Sequence, residues 1–201
     1  MSFMSKEETS NHILDTAIDL FWRASYHGVN MNELSRAADL NKATVYQYFG
    51  SKEKLAVAAV ERAAERTRNF VFDTAFERSE NPVDRLKNIY KNVYQTHKAI
   101  YEKEANCIGC PFVNIGVELA TSSDDVRTAV NKAFESFHPY YKRITDDYQT
   151  VSVVEEPTNA TEIVSALLAN MNACLVASKL ERRPEAILEG SHRAINILKH
   201  W

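Results

Sequence analysis

The sequence predicts an all-α protein, with a short N-terminal helix-turn-helix domain and a larger C-terminal helical domain. Apolar residues recur at three- and four-residue spacing over most of the chain. Only 5 Gly and 5 Pro interrupt 201 residues, of which 45% are hydrophobic. No alternation of apolar and polar residues runs long enough to form a sheet. The expected organisation is a domain over 1–54 and a second over 55–201, with a helix from about 52 to 77 linking them.

The N-terminal elements follow in order. Residues 1–5 read as frayed, and Thr9 at the first helix start is a candidate phosphate contact. From about Lys6 to Tyr26 the spacing of Ile13, Leu14, Ala17, Leu20, Phe21 and Ala24 gives an amphipathic helix, with Gly28 as its C-terminal cap. Trp22 and Tyr26 fill space. Asn30 and Glu33 form a capping box for a short helix whose Leu34, Ala37 and Ala38 share one face. Asp39-Leu40-Asn41 is a turn, and Asn41 caps the helix that follows. In that helix Val45 and Phe49 point inward, while Gln47 points away between Ala43, Thr44 and Tyr46. This outward face carries a carboxamide, a hydroxyl, a phenol and a small residue, with no acid. It suits a base-pair edge flanked by phosphates. Thr44, Tyr46 and Gln47 would touch bases, Ala43 the groove floor, and Lys42, Tyr48 and Lys52 the backbone.

Gly28-Val29-Asn30-Met31-Asn32-Glu33-Leu34-Ser35-Arg36-Ala37-Ala38, then Lys42-Ala43-Thr44-Val45-Tyr46-Gln47-Tyr48-Phe49 and Ser51-Lys52-Glu53-Lys54-Leu55, resembles the DNA-binding domain of tetracycline-repressor (TetR) family regulators. The resemblance spans about residues 8–60 in order and spacing. Many relatives have Gly where this chain has Asp39, and Asp tolerates a left-handed turn at modest cost. The resemblance implies a homodimeric transcription regulator, a repressor, bound to a palindromic operator in double-stranded DNA. A small-molecule inducer would release it. Two recognition helices would then lie about one helical turn apart, roughly 34–36 Å or a multiple.

Ser51 caps the linking helix. Asn81-Pro82 starts the next, to about Lys103, with Leu86, Ile89, Tyr90, Val93, Tyr94, His97, Ile100 and Tyr101 on one stripe. Cys107 to Pro111 breaks the pattern, and Phe112 to Ala120 is a short helix. Ser122 to Asp125 caps a helix with Val126, Val130, Phe134 and Phe137 inward, bent at Pro139 near His138, Tyr140 and Tyr141. Val151 to Val154 reads as loop. Thr158 caps a helix to about Glu181, and Pro184 starts the last. These two helices hold more apolar surface than one partner face needs. In the family the equivalent pair forms a four-helix dimer interface. The stretch Gly109-Cys110-Pro111-Phe112 through Glu118-Leu119-Ala120 looks like a subset of TetR-type regulatory domains.

The net charge is −3, yet residues 41–68 hold six Lys and Arg against three Glu. A locally basic surface suffices for a binder of few phosphates. Lys42 and Lys52 are favoured for that role, and Arg62, Arg66 and Arg68 as ordinary solvated groups. Three cysteines without a signal-peptide core point to a reducing cytoplasm. The longest helical apolar run is taken as Leu55 to Val60, too short to span a membrane, so no membrane partner is expected.

Tyr90, Tyr94, His97, Phe112, Phe134, Phe137 and Tyr141 would line a mostly apolar cavity with a few polar tips. It would take a small aromatic or hydrophobic molecule with one or two hydrogen-bonding groups. No Lys or Arg falls on the inward stripe of the 82–103 helix, which disfavours a strongly anionic ligand. Cys107 and Cys110 offer an alternative, a thiol- or metal-based sensor, since a helix N-terminus stabilises a thiolate. One Cys pair supplies only half of a tetrahedral zinc site, with His97, His138 and Cys174 as further candidates. No metal site and no cofactor is assigned. An enzyme is not expected: His97 or His138 could pair with Glu118 or Cys110, but no nucleophile motif, phosphate loop or two-histidine metal motif is present.

Overall fold

Ser5 starts the first helix, and it does so with a capping box. Its hydroxyl accepts the Glu8 N–H at 3.1 Å, and the Glu8 carboxylate accepts the Ser5 N–H at 2.7 Å. The computed structural model describes residues 4–151 and 159–200, and every regular element among them is helical. Helix α1 is Lys6–Ala24, α2 Met31–Ala37, α3 Lys42–Phe49 and α4 Lys52–Thr67. A π-helical segment, Arg68–Asp73, leads into α5, Thr74–Glu77. Then follow α6 (Pro82–Glu104), α7 (Pro111–Leu119), α8 (Asp124–Glu135), α9 (His138–Val151), α10 (Ala160–Glu181) and α11 (Glu185–His200).

The chain divides into two compact units, Met1–Arg66 with Pro111–Phe134, and Thr67–Cys110 with Glu135–Trp201. The first therefore joins α1–α3 and most of α4 to α7 and most of α8. Ile13, Ala17, Phe21, Val29, Leu34, Val45, Leu55 and Val60 are fully buried there. In the second unit α10 packs on α11 and α9, and α6 packs on α9 and α11. Gly190 lets α11 approach α10 closely, because a Cβ at that position would lie 2.0 Å from the Cys174 sulfur.

The structure corrects several expectations. α1 ends at Ala24, before Gly28, and the positive φ at its C-terminus belongs to Ser25 (φ 68, ψ 162). Gly28 serves another need: a Cβ there would come within 2.1 Å of the Ala24 carbonyl oxygen. Pro139 does not bend a helix; it sits in the first turn of α9, where it lacks no required N–H. Val151 is the last residue of α9, while Ser152 to Val154 and Thr158 lie outside the described residues. Asn159 caps α10 by accepting the Thr161 N–H at 3.1 Å. The most apolar long helix is α10, not the 55–60 run. By length and composition alone it could cross a membrane, but its inward Ile163, Leu167, Met171, Cys174 and Leu175 are buried in this fold.

The linking helix is present over 52–77 but is not uniformly α. The π-helical turn displaces carbonyls from their α partners, and Asn92 of α6 answers them. Its amide nitrogen, on a side chain only 1% exposed, donates to the Val71 carbonyl and the Thr74 hydroxyl, both at 2.9 Å. Its oxygen accepts from Arg78 Nη1 at 2.8 Å. A buried carboxamide bonded on both ends fixes the π turn to α6. Asn92→Ala is expected to cost about 1–3 kcal/mol, because buried polar groups lose their partners; a lowered urea midpoint would report it.

Candidate functional site

Local chemistry builds the α2–α3 pair. Asn30 Oδ1 accepts the N–H groups of Asn32 and Glu33 at 3.0 and 2.9 Å, which starts α2. The turn then needs one left-handed residue, and Asp39 takes it at φ 52, as the sequence led one to expect. Leu40 N–H closes the turn on the Ser35 carbonyl at 2.9 Å. His12 Nε2 lies 3.0 Å from the Ala38 carbonyl oxygen and ties α2 to α1. Asn41 caps α3: its Oδ1 accepts the Thr44 N–H at 2.7 Å and the Thr44 hydroxyl at 2.9 Å. Gly50 ends α3 at φ 74, donating its N–H to the Tyr46 carbonyl at 2.7 Å. Ser51 Oγ caps α4 by accepting the Lys54 N–H at 3.1 Å.

On α3 the outward face is Lys42, Ala43, Tyr46 and Gln47, all exposed. Val45 is buried, and Thr44, Tyr48 and Phe49 are half-buried. Thr44 has committed its proton to Asn41, so its hydroxyl can only accept at the surface. Lys42 Nζ lies 5.9 Å from the Tyr46 ring centroid, which gathers cation and phenol on one edge.

Lys52 is held differently. Its ammonium donates to the Tyr26 carbonyl at 2.6 Å and sits 4.1 Å from the centre of the Tyr26 ring. Burial lowers its pKa, against the pull of Glu118. Arg62 and Arg66 are also engaged: both reach Asp15 of α1, at 2.7 and 2.8 Å. Burial opposes ionisation of Asp15, but the two guanidinium groups outweigh it and hold the carboxyl below its ordinary value. Arg68, in the second unit, donates to Ser136 Oγ at 3.0 Å.

Sequence reasoning missed the frame around the α1–α2 turn. Glu118 of α7 accepts the N–H of Tyr26 at 2.8 Å and of His27 at 2.7 Å. Asn114 Nδ2 donates to the Trp22 carbonyl at 3.4 Å, and Ser123 Oγ donates to Glu53. Burial raises the Glu118 pKa, but the His27 and Tyr26 N–H groups, joined by the Ser25 hydroxyl and the His27 charge, outweigh it and leave it lowered. No local pattern marks this bond, because its partners are about ninety residues apart.

Of the residues expected around a ligand, Phe112 and Phe134 pair edge-on in the first unit at 6.0 Å. Tyr90, Tyr94, His97, Cys107, Cys110, Phe137 and Tyr141 lie in the second. Phe137 stacks on Phe72 at 5.1 Å, and Tyr141 meets the same ring edge-on at 5.6 Å. Tyr90 is buried with its hydroxyl accepting from Asn170 Nδ2 at 2.6 Å. His97 is buried, and desolvation pushes its pKa down to about 4. Cys107 and Cys110 are buried too, and burial raises the Cys107 thiol, with Ser178 acting in the opposite sense. Among the described residues no group of three or more His, Cys, Asp and Glu could hold a metal ion. An open groove of about 560 Å³ lies on the second unit between α6 and α11. Tyr94 lines it beside Lys87, Lys91, Leu188, Glu189 and His192.

Residues 13–59 match the family model for bacterial regulatory proteins of the tetR family, and residues 82–194 the tetracyclin repressor-like C-terminal domain. The transcriptional repressor DhaR of Mycobacterium sp. is 24% identical over 92% of this chain and 89% of its own. The transcriptional repressor NemR of Escherichia coli is 22% identical over 98% of both chains. The crystal structure of E. coli NemR in its reduced form superposes with a TM-score of 0.78 at 21% identity, over 94% of this chain and 96% of that one. A regulatory protein TetR from Rhodobacter sphaeroides gives 0.81 at 18% identity, over 96% and 98%. These structures share the fold.

The Asp15 contact has a pH consequence. Its carboxyl pKa is lowered in the folded state, so its contribution is complete above the ordinary carboxylate value, about 4, and is lost as pH falls below it. Urea unfolding between pH 6 and 3 is expected to show this loss, and Asp15→Asn to blunt it while lowering stability at neutral pH.

Proposed function

The chain belongs to the tetracycline-repressor family of DNA-binding transcription regulators, and on that premise we propose that it is a homodimeric repressor released from its operator by a small, mostly apolar ligand. The observation that carries the DNA contacts is the acid-free outward face of α3. Exposed Ala43, Tyr46 and Gln47 stand there beside Lys42, on a helix whose two ends are fixed by Asn41 and Gly50. Gln47 and Tyr46 read base edges with Thr44 as an acceptor, Ala43 lets the backbone approach the groove floor, and Lys42 and Tyr48 meet phosphates. Lys52, bound at the Tyr26 carbonyl, serves the frame of the head.

The dimer reading is supported by a narrow seam. Most apolar residues of α10 are buried within the protomer, but Ala169, Ala173, Val176 and Leu180 form an exposed stripe at helical spacing. Leu180 is 79% exposed and Leu188 of α11 36%. A stripe of small and apolar residues along a long helix fits a partner helix closely.

The ligand reading is supported by the aromatic density of the second unit and by His97. Burial pushes its pKa down to about 4, which favours a neutral imidazole in that apolar setting. The thiol alternative is weakened by the burial and raised pKa of Cys107.

Two tests follow. Duplexes should first be selected by the native protein from a randomised DNA pool. Gln47→Ala should then relax preference at one base pair and cost about 1–3 kcal/mol, whereas Lys42→Ala should weaken all sequences alike and flatten the salt slope. An unchanged preference in Gln47→Ala would refute the groove assignment. Separately, sedimentation at micromolar concentration should give a dimer for the native chain and a folded monomer for an Ala173→Glu, Leu180→Glu variant. A dimer in both would place the interface elsewhere.

A further inference from the structure

We propose that Glu118 is a positioning residue for operator recognition: its carboxylate holds the α1–α2 turn in the conformation from which α2 and α3 present their outward face. This inference rests on the DNA-binding reading above and concerns a residue that never touches DNA.

Backbone strain marks the α1–α2 turn. Ser25 stands at φ 68, ψ 162, a region that only Gly enters readily. Such a conformation persists only where the surroundings over-determine it. Here they do so from two sides of the next peptides. Tyr26 N–H and His27 N–H each donate to a separate oxygen of Glu118, at 2.8 and 2.7 Å. On the other side the Tyr26 carbonyl accepts the Lys52 ammonium at 2.6 Å. Gly28 completes the tight passage, with no room for a Cβ beside the Ala24 carbonyl. The buried Val29 follows, and Asn30 then caps α2. Only Gly28 and Val29 separate the clasp from the cap that sets the direction of the recognition pair.

The chemistry needs a carboxylate. Two N–H donors require two acceptor oxygens at one side-chain end, and the negative charge strengthens both bonds and sits near Lys52. A Gln in its place keeps one acceptor and turns an NH₂ toward the other N–H. The neighbours act in the same sense: Asn114 reaches the Trp22 carbonyl near the end of α1, and Ser123 reaches Glu53 at the start of α4. The α7–α8 segment thus grips both helices that flank α2 and α3. Glu118 lies within residues 82–194, matched by the C-terminal family model, yet it acts inside the unit that holds the recognition pair.

The test uses the full-length protein and a duplex that the native chain selects from random DNA. Glu118→Ala is expected to weaken binding on the order of tenfold, the equivalent of about one lost charge-assisted bond, with Glu118→Gln intermediate and the salt slope unchanged in both. Amide exchange should accelerate at Tyr26 and His27 while protection in α4 stays native. Ser25→Gly, which removes the strain along with a hydroxyl that accepts the Gly28 N–H at 3.2 Å and also bonds Glu118, should restore much of the affinity of Glu118→Gln. Native affinity in Glu118→Ala, or exchange that rises throughout the first unit without rescue by Ser25→Gly, would overturn the proposal. If the native chain enriches no sequence, the DNA reading itself fails, and unchanged exchange at Tyr26 and His27 in Glu118→Ala would still refute the clasp.

Discussion

One peptide group constrains the DNA-binding unit: that between Tyr26 and His27, whose N–H is taken by Glu118 and whose carbonyl is taken by Lys52. The six-residue turn between Ala24 and Met31 makes two long hydrogen bonds of its own, from Gly28 N–H to Ser25 Oγ at 3.2 Å and from Val29 N–H to the Tyr26 carbonyl at 3.4 Å. It includes a strained Ser25 and a Gly28 pressed against the end of α1. Charged groups from α4 and α7 supply what the turn lacks. The direction of α2, and through Asp39 and Asn41 that of α3, follows from them.

The same unit shows how basic residues divide between structure and surface. Lys52, Arg62 and Arg66 are drawn into internal bonds with Tyr26 and Asp15. Lys42 and Lys54 stay exposed. A head with few free cations near α3 cannot rest on phosphate attraction alone. In the proposed reading its selectivity leans on Tyr46 and Gln47, whose side chains can distinguish base edges.

The second unit relies on a different device. Its aromatic rings, Phe72 with Phe137, Tyr140 and Tyr141, pack around a π-helical turn that would leave carbonyls unpaired in an apolar setting. Asn92 resolves this from α6. A polar side chain placed to meet displaced carbonyls makes the irregular turn a fixed feature of the fold rather than a defect. Gly190 does comparable work between α10 and α11 by yielding space to Cys174.

The sequence by itself determined the helical class, most of the helices in order, the caps at Asn30, Asn41, Ser51 and Asn81, the left-handed Asp39, and the inward and outward faces of α3. These are short-range properties: a cap or a helical face depends on residues within one or two turns. The family resemblance followed from the same local stretch. Only the tertiary structure decided that α7 and most of α8 join the DNA-binding unit, that the Lys52 ammonium bonds the Tyr26 carbonyl, that a separate helix begins at His138 with Pro139 in its first turn, and that the 52–77 helix carries a π turn. Nor was the Glu118 clasp legible, since nothing near position 26 announces a partner at 118. Local chemistry names the elements; which distant side chain satisfies a given N–H, carbonyl or charge depends on how those elements pack.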